Sequence, residues 1–164
     1  MRRLARAVAC AGLAATFACG YQVVRVAGGG SPLRVAAFKN PTAQPEVGGL
    51  FAAAAREQLH LRGRLAAEGA PGLTLEGELL GLRVSSSVLS AGGAGALRVE
   101  ADLRFRLVEA GAVKAEETVS GGEEFLQGVD VLGTEANRRA ALRRLADALV
   151  RMGLERLEAG ALLQ

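Results

Sequence analysis

The sequence predicts an α+β fold in which two helices pack on one face of a four-stranded mixed sheet, in the order β-α-β-β-β-α. Three observations predict it. Leu97, Val99, Ala101, Leu103, Phe105 and Leu107 alternate with Arg98, Glu100, Asp102, Arg104 and Arg106, the period of a strand with one buried and one wet face. Two further segments carry apolar residues at helical spacing, Val47, Leu50, Phe51, Ala54 and Leu61 in the first and Ala141, Leu142, Leu145, Ala148, Leu149 and Met152 in the second. One apolar sheet face and two apolar helix stripes are buried most economically against each other, which leaves the second sheet face open.

The chain begins with an address. Met1, Arg2, Arg3, Leu4, Ala5 and Arg6 lead into the weakly polar stretch Ala7 to Ala18, and then come Cys19, Gly20 and Tyr21. A basic start followed by a short apolar run is the pattern of a secretory signal. Small residues precede Cys19, and a cysteine in that place is where bacterial lipoproteins are cleaved and acylated. Residues 1–18 are therefore read as a lipoprotein signal peptide and Cys19 as the lipidated N-terminus. Cys10 leaves with the signal, so Cys19 has no partner for an internal disulfide. Several acyl chains hold a protein on a bilayer far more firmly than one. Gly20, where an Asp would favour inner-membrane retention by the enteric sorting rule, points to the outer membrane.

Composition narrows the rest. The 164 residues are 50% apolar, 23% charged and 4% aromatic, with 22 Gly, 1 His and no Trp, which fits one modest domain and excludes a disordered or polytopic chain. Arg2, Arg3 and Arg6 are the only charges before Cys19; without these three of the 20 basic residues, the basic count equals the 17 acidic ones. The net charge of +3 thus belongs to the signal and is no footprint for nucleic acid.

Residues 19–32 form a lipidated tether, flexible by its run Gly28, Gly29, Gly30. A single α/β sandwich domain is expected over residues 33–160. Leu33, Arg34, Val35, Ala36, Ala37 and Phe38 read as its first strand, closed by Lys39, Asn40 and Pro41. Thr42 to Pro45 offers a helix start, Glu46 suits the positive end of the helix dipole, and Gly63 and Gly69 to Gly72 end the segment. Leu73, Leu75, Gly77 and Leu79 alternate with polar residues until Leu80 and Leu82 shift parity, a strand with a bulge near Leu79. Ser85 to Ser87 and the Gly-Ala stretch Ala91 to Ala96 predict a flexible connection. The alternating strand follows, roughly 40 Å long at about 3.3 Å per residue. Ala110 and Gly111 turn it into a weaker strand, Val113 to Ser120, closed by Gly121 and Gly122. The last helix is expected to start with Thr134 as cap and Asn137 three residues on, and to carry a solvated ladder of Arg143, Asp147, Arg151 and Glu155.

Catalytic chemistry finds few parts. There is no phosphate-binding glycine loop, and His60 alone provides no metal set. Glu116 with Glu117 and Glu123 with Glu124 are neighbours on a strand, so they point to opposite faces and make no acid–base pair. No enzyme, cofactor or metal is expected. Arg98, Arg104 and Arg106 share the open face; with Glu100 and Asp102 between them they read either as a mixed solvated surface or as a phosphate-engaging one.

The start Cys19-Gly20-Tyr21, the first strand running into Phe38-Lys39-Asn40-Pro41-Thr42, Pro45-Glu46 ahead of the first helix, the long hairpin and the Ala-rich last helix resemble the LptE family of lipopolysaccharide-assembly lipoproteins. The resemblance extends over residues 19 to 160. It implies a non-enzymatic protein, anchored by lipid to the outer membrane on its periplasmic side. There it would sit one-to-one as a plug in the lumen of an LptD-type barrel, assist its assembly, and help deliver lipopolysaccharide to the outer leaflet. Arg83, Arg98, Arg104 and Arg106 would then meet the barrel wall or lipid A phosphates. The alternative is another outer-membrane lipoprotein with a similar strand start, such as a peptidoglycan-synthase activator or a secretion component of the curli kind.

Overall fold

The structure is a computed structural model that describes residues 30–89 and 95–162. The signal segment, Cys19 and the tether as far as residue 29 lie outside the described residues. The elements are β1 (Arg34–Val35), α1 (Glu46–Leu61), β2 (Thr74–Leu89), β3 (Gly95–Glu109), β4 (Ala112–Leu126) and α2 (Val131–Leu162). They form one sheet in the order β1-β2-β3-β4, with β1 parallel to β2 and the other pairs antiparallel. Both the element order and the mixed sheet are those the sequence predicts.

The first strand is shorter than its six-residue apolar run suggests, because only Arg34 and Val35 form a ladder with Thr74 and Leu75. Beyond it the chain stays hydrogen-bonded to β2, with the Lys39 amide donating to the Gly77 carbonyl and the Leu79 amide to the Lys39 carbonyl, 2.8 Å each. Asn40 then turns the chain. Its carboxamide oxygen accepts from the Thr42 amide at 3.0 Å and from the Thr42 hydroxyl at 2.7 Å, so Thr42 organises this turn and does not cap α1. The N-cap is Pro45, and Glu46 lies in the first helical turn as expected. At the other end Gly63, at φ 65°, donates to His60 and the Arg64 amide donates to Leu59 at 2.8 Å. This paired closure of the last turn needs a left-handed residue that glycine adopts without strain.

The predicted bulge is present: the β2–β3 register slips between Leu79 and Gly81. Leu75, Gly77 and Leu79 face inward before it and Leu82 after it, while Leu80 is the extra residue, 40% exposed. Several boundaries differ from the sequence reading. β2 continues through Ser85 to Ser87 up to Leu89, and β3 begins at Gly95, because cross-strand pairing carries on along the long hairpin past a second register shift at Ser87.

β4 runs through Gly121 and Gly122 to Leu126. These glycines are sites of close approach and not a turn. A Cβ at Gly121 would sit 3.0 Å from the Leu149 side chain of α2, and one at Gly122 would lie 2.7 Å from the Arg98 guanidinium.

α2 starts three residues before Thr134. Asp130 is its cap, its carboxylate accepting from the Gly133 amide at 2.6 Å. Thr134 and Asn137 instead tie the preceding loop to the helix: the Thr134 hydroxyl accepts from the Gly128 amide at 3.0 Å, and the Asn137 amide group donates to the Leu126 carbonyl at 2.9 Å. Arg143, Asp147, Arg151 and Glu155 are all exposed, as expected. No ion pair within 4 Å joins any two of them among the described residues; Glu155 instead lies 3.9 Å from Arg62, at the end of α1.

The core lies between the sheet and the two helices. Phe51, Ala55 and Leu59 from α1, Leu145, Leu149 and Leu154 from α2, and Val99, Leu103 and Phe105 from β3 are almost fully buried. Burial of each large side chain is worth about 1.5–3 kcal/mol. α2 lies over β3 and β4 and packs along α1, and Glu158 ties the helices together by accepting from Arg62 at 3.2 Å and from Arg64. At the centre the Phe38 and Phe105 rings meet edge to face, centroids 5.9 Å apart. A Cβ at Gly77 would collide with the Phe38 ring and one at Gly153 with the Phe105 ring, so the two glycines frame the aromatic pair from β2 and from α2.

Candidate functional site

The open sheet face is built from alternation and register. β3 buries Val99, Ala101, Leu103, Phe105 and Leu107 against the helices, so Arg98, Glu100, Asp102, Arg104 and Arg106 project from the other side. Register then sets a carboxylate opposite an arginine in row after row: Arg83 opposite Glu100, Glu78 opposite Arg104, Arg98 opposite Glu124 and Arg106 opposite Glu116.

All four predicted arginines are on this face, and all four are ion-paired. Arg83 lies 2.9 Å from Asp102 and 3.6 Å from Glu100; Arg98 lies 3.2 Å from Glu100 and 3.8 Å from Glu124. Arg104 lies 3.5 Å from Glu78 and 3.8 Å from Glu116, which also accepts from Arg106. The structure brings the arginines together as two groups and not as one patch. Arg83 and Arg98 share the hairpin-tip half, while Arg104 and Arg106 share the half beside β1, about 20 Å from Arg98 at the rise of a strand. With Glu78, Glu100, Asp102, Glu116 and Glu124 interleaved, the face has near-balanced charge. Such a surface sets up little long-range attraction for a polyanion and offers many short-range polar contacts.

Two further residues, to which the sequence reading gave no role in the site, belong to this face. Asp102 links three strands, taking a hydrogen bond from Ser120 of β4 and the Arg83 guanidinium from β2. The Ser120 hydroxyl and then Arg83 hold its carboxyl below the usual carboxylate range, against the effect of partial burial. The Arg106 hydrogen bond and charge do the same for Glu116. Gly81 makes room for this arrangement, since a Cβ there would stand 3.2 Å from the Asp102 carboxylate. The signal for Asp102 was its place opposite two small residues, visible only once register is known. Lys39 is the second: with Glu76, Glu78, Arg104 and Arg106 it lines a cleft of about 230 Å³ on this face.

A carboxyl whose folded pKa is depressed contributes stability that is present above the ordinary Asp value of about 3.9 and is lost as pH falls from there through the folded value. Asp102→Asn is therefore expected to leave a shallower acid limb than the parent between about pH 5 and pH 3. Thermal unfolding measured across that range checks it, and parallel limbs would remove Asp102 from the account.

His60 is exposed near the end of α1, and no cluster of metal-ligating side chains occurs among the described residues. Glu116 and Glu117 occupy opposite faces, as do Glu123, which pairs with Arg144 of α2 at 3.2 Å, and Glu124, which pairs with Arg98. No described helix is long and apolar enough to cross a membrane.

A long hairpin that presents a broad, ion-paired polar face, backed by two helices, defines a domain of the α+β class. The chain belongs to the LptE family: the lipopolysaccharide-assembly family model matches residues 31–157. Two solved structures share the fold. Rare lipoprotein B from Shewanella oneidensis is 12% identical with a TM-score of 0.53, over 79% of this chain and 96% of that one. The hypothetical protein CT253 from Chlamydia trachomatis is 13% identical with a TM-score of 0.53, over 78% of this chain and 95% of that one. No curated protein sequence matches.

Proposed function

We propose that this protein is an outer-membrane lipoprotein, lipidated at Cys19, that plugs the lumen of an LptD-type barrel one-to-one, assists its assembly, and helps pass lipopolysaccharide to the outer leaflet. Membership of the LptE family supports the assembly role. The observation that carries the plug reading is the open face of β2, β3 and β4, whose strands of 15 and 16 residues present guanidiniums and carboxylates in alternation. Interiors of large outer-membrane barrels are polar, and a face of balanced charge meets such a wall without leaving one sign unpaired. Arg83, Arg98, Arg104 and Arg106 are the residues proposed to contact the wall or lipid A phosphates, by exchanging part of their present ion pairing.

The test is detergent extraction of native membranes with a C-terminal tag on this protein, followed by mass identification of what copurifies. A heat-stable one-to-one complex with a large outer-membrane barrel is expected. Recovery of a cell-wall synthase, a homo-oligomeric pore or the lipoprotein alone would overturn the plug reading. Cys19→Ser is expected to shift most of the protein from the membrane to the soluble fraction, since acylation supplies the anchor. Cell fractionation checks this, and an unchanged membrane fraction would remove Cys19 as the anchor.

A further inference from the structure

We infer that a second cleft on this domain, adjoining the first, binds the headgroup of a phospholipid carrying both a phosphate and a primary ammonium, a phosphatidylethanolamine, in the membrane to which the tether leads. The membrane assignment rests on the anchor proposed above; the cleft chemistry does not. The cleft has a volume of about 660 Å³ and lies at the β1 edge of the sheet, between β1, α1 and the loop after α1, next to the cleft of the arginine face with which it shares Ala36. Arg34, Arg56, Glu68 and Thr74 supply its polar lining, and Val35 and Leu65 its apolar lining.

Its guanidiniums differ from those of the sheet face. Among the described residues, neither Arg34 nor Arg56 has a carboxylate within 4 Å, whereas Arg83, Arg98, Arg104 and Arg106 each do. Arg34 donates one terminal nitrogen to the Thr74 hydroxyl at 2.7 Å, and its Nε is buried without a hydrogen-bond partner. The terminal nitrogens of Arg34 and Arg56 belong to two cleft-lining guanidiniums without carboxylate partners among the described residues, a pair that suits the several oxygens of a phosphate. Glu68 on the same rim supplies the opposite charge, which a phosphate alone does not use and an ammonium does.

Position argues for lipid. Leu65 and Ala66 line both this cleft and an adjoining one that is also lined by Ser31 and Pro32, the residues through which the tether enters the domain. Leu33 bridges to Leu65 at the same place. Leu65, which lines both clefts, is 38% exposed, apolar surface of the kind that acyl chains near a headgroup cover.

Native mass spectrometry of the membrane-extracted protein in a non-ionic detergent tests the assignment. The probes are dioleoyl phosphatidylethanolamine, phosphatidylglycerol and phosphatidylcholine, and sodium phosphate. Phosphatidylethanolamine is expected to give a one-to-one adduct at least fivefold more abundant than either other lipid. Arg56→Gln, at an exposed helix position, is expected to lower that adduct at least fivefold, and Arg34→Gln to do the same. Glu68→Gln is expected to abolish the preference over phosphatidylglycerol. Equal adducts with all three lipids, an adduct unchanged by Arg56→Gln, or phosphate competing as strongly as the lipid would overturn the proposal. A bound barrel adds its own mass, so failure of the plug reading and failure of this one are read separately in the same spectrum.

Discussion

Gly153→Val is expected to destabilise the folded domain by about 3 kcal/mol, at the upper end of what overpacking a core costs. The Phe105 ring occupies the space into which a Cβ at position 153 would project, and Gly153 lies within α2, where the backbone cannot move aside without disturbing Leu149 and Leu154 on the same buried stripe. Glycine inside a helix is itself unfavourable by about 1 kcal/mol relative to alanine, so its presence here reflects the closeness of helix to sheet. Phe105→Ala is expected to cost about 3–5 kcal/mol through lost burial and the cavity left behind. The decisive measurement is the double variant: because both changes concern the same space, Gly153→Val should cost much less in the Phe105→Ala background than in the parent. Chemical denaturation of the four proteins gives the coupling, and strict additivity would mean that the aromatic ring is not what keeps position 153 small.

The second large effect concerns function. Reversing the charge of Arg83, Arg98, Arg104 and Arg106 to Glu is expected to lower copurification of the barrel at least tenfold. Each new carboxylate would face the carboxylates that the arginine formerly paired with, so the variant meets both repulsion within the face and loss of donors to the wall. The set Arg→Gln separates these effects, since it removes the donors' charge without adding like charges. It is expected to retain the fold by circular dichroism and to weaken the complex by less than the reversal does. Charge reversal that left both complex formation and lipopolysaccharide binding intact would take this face out of the mechanism.

Much of this architecture is legible in the sequence because periodicity reports burial directly. The alternation from Leu97 to Leu107 and the helical stripes give β3, α1 and α2, and the parity change at Leu80 gives the bulge. What the sequence hides is pairwise. Gly121 and Gly122 look like punctuation, yet they stay in β4 because Leu149 approaches one and Arg98 crosses the other, contacts made by residues 28 and 24 positions away. Thr134 looks like a helix cap because its hydroxyl could serve, and Asp130 takes the role because the loop closes onto Thr134 instead. The same limit applies to the face. Its arginines can be read from alternation, but that each lies opposite a carboxylate follows from the register of two long hairpins, and the role of Asp102 depends on three strands at once.

β4 is the outer strand of the sheet on the side away from β1, and along this border the last helix lends it donors. Arg156 donates to the Thr118 carbonyl at 3.3 Å, Arg144 to the Glu124 carbonyl at 3.1 Å and Asn137 to the Leu126 carbonyl. Three carbonyls along this border are thus engaged by side chains of the same molecule, which lowers the tendency of β4 to accept a further strand there. A sheet border shielded in this way lets the domain lie beside other exposed strands and engage them through side chains, without being drawn into their ladder as one more member.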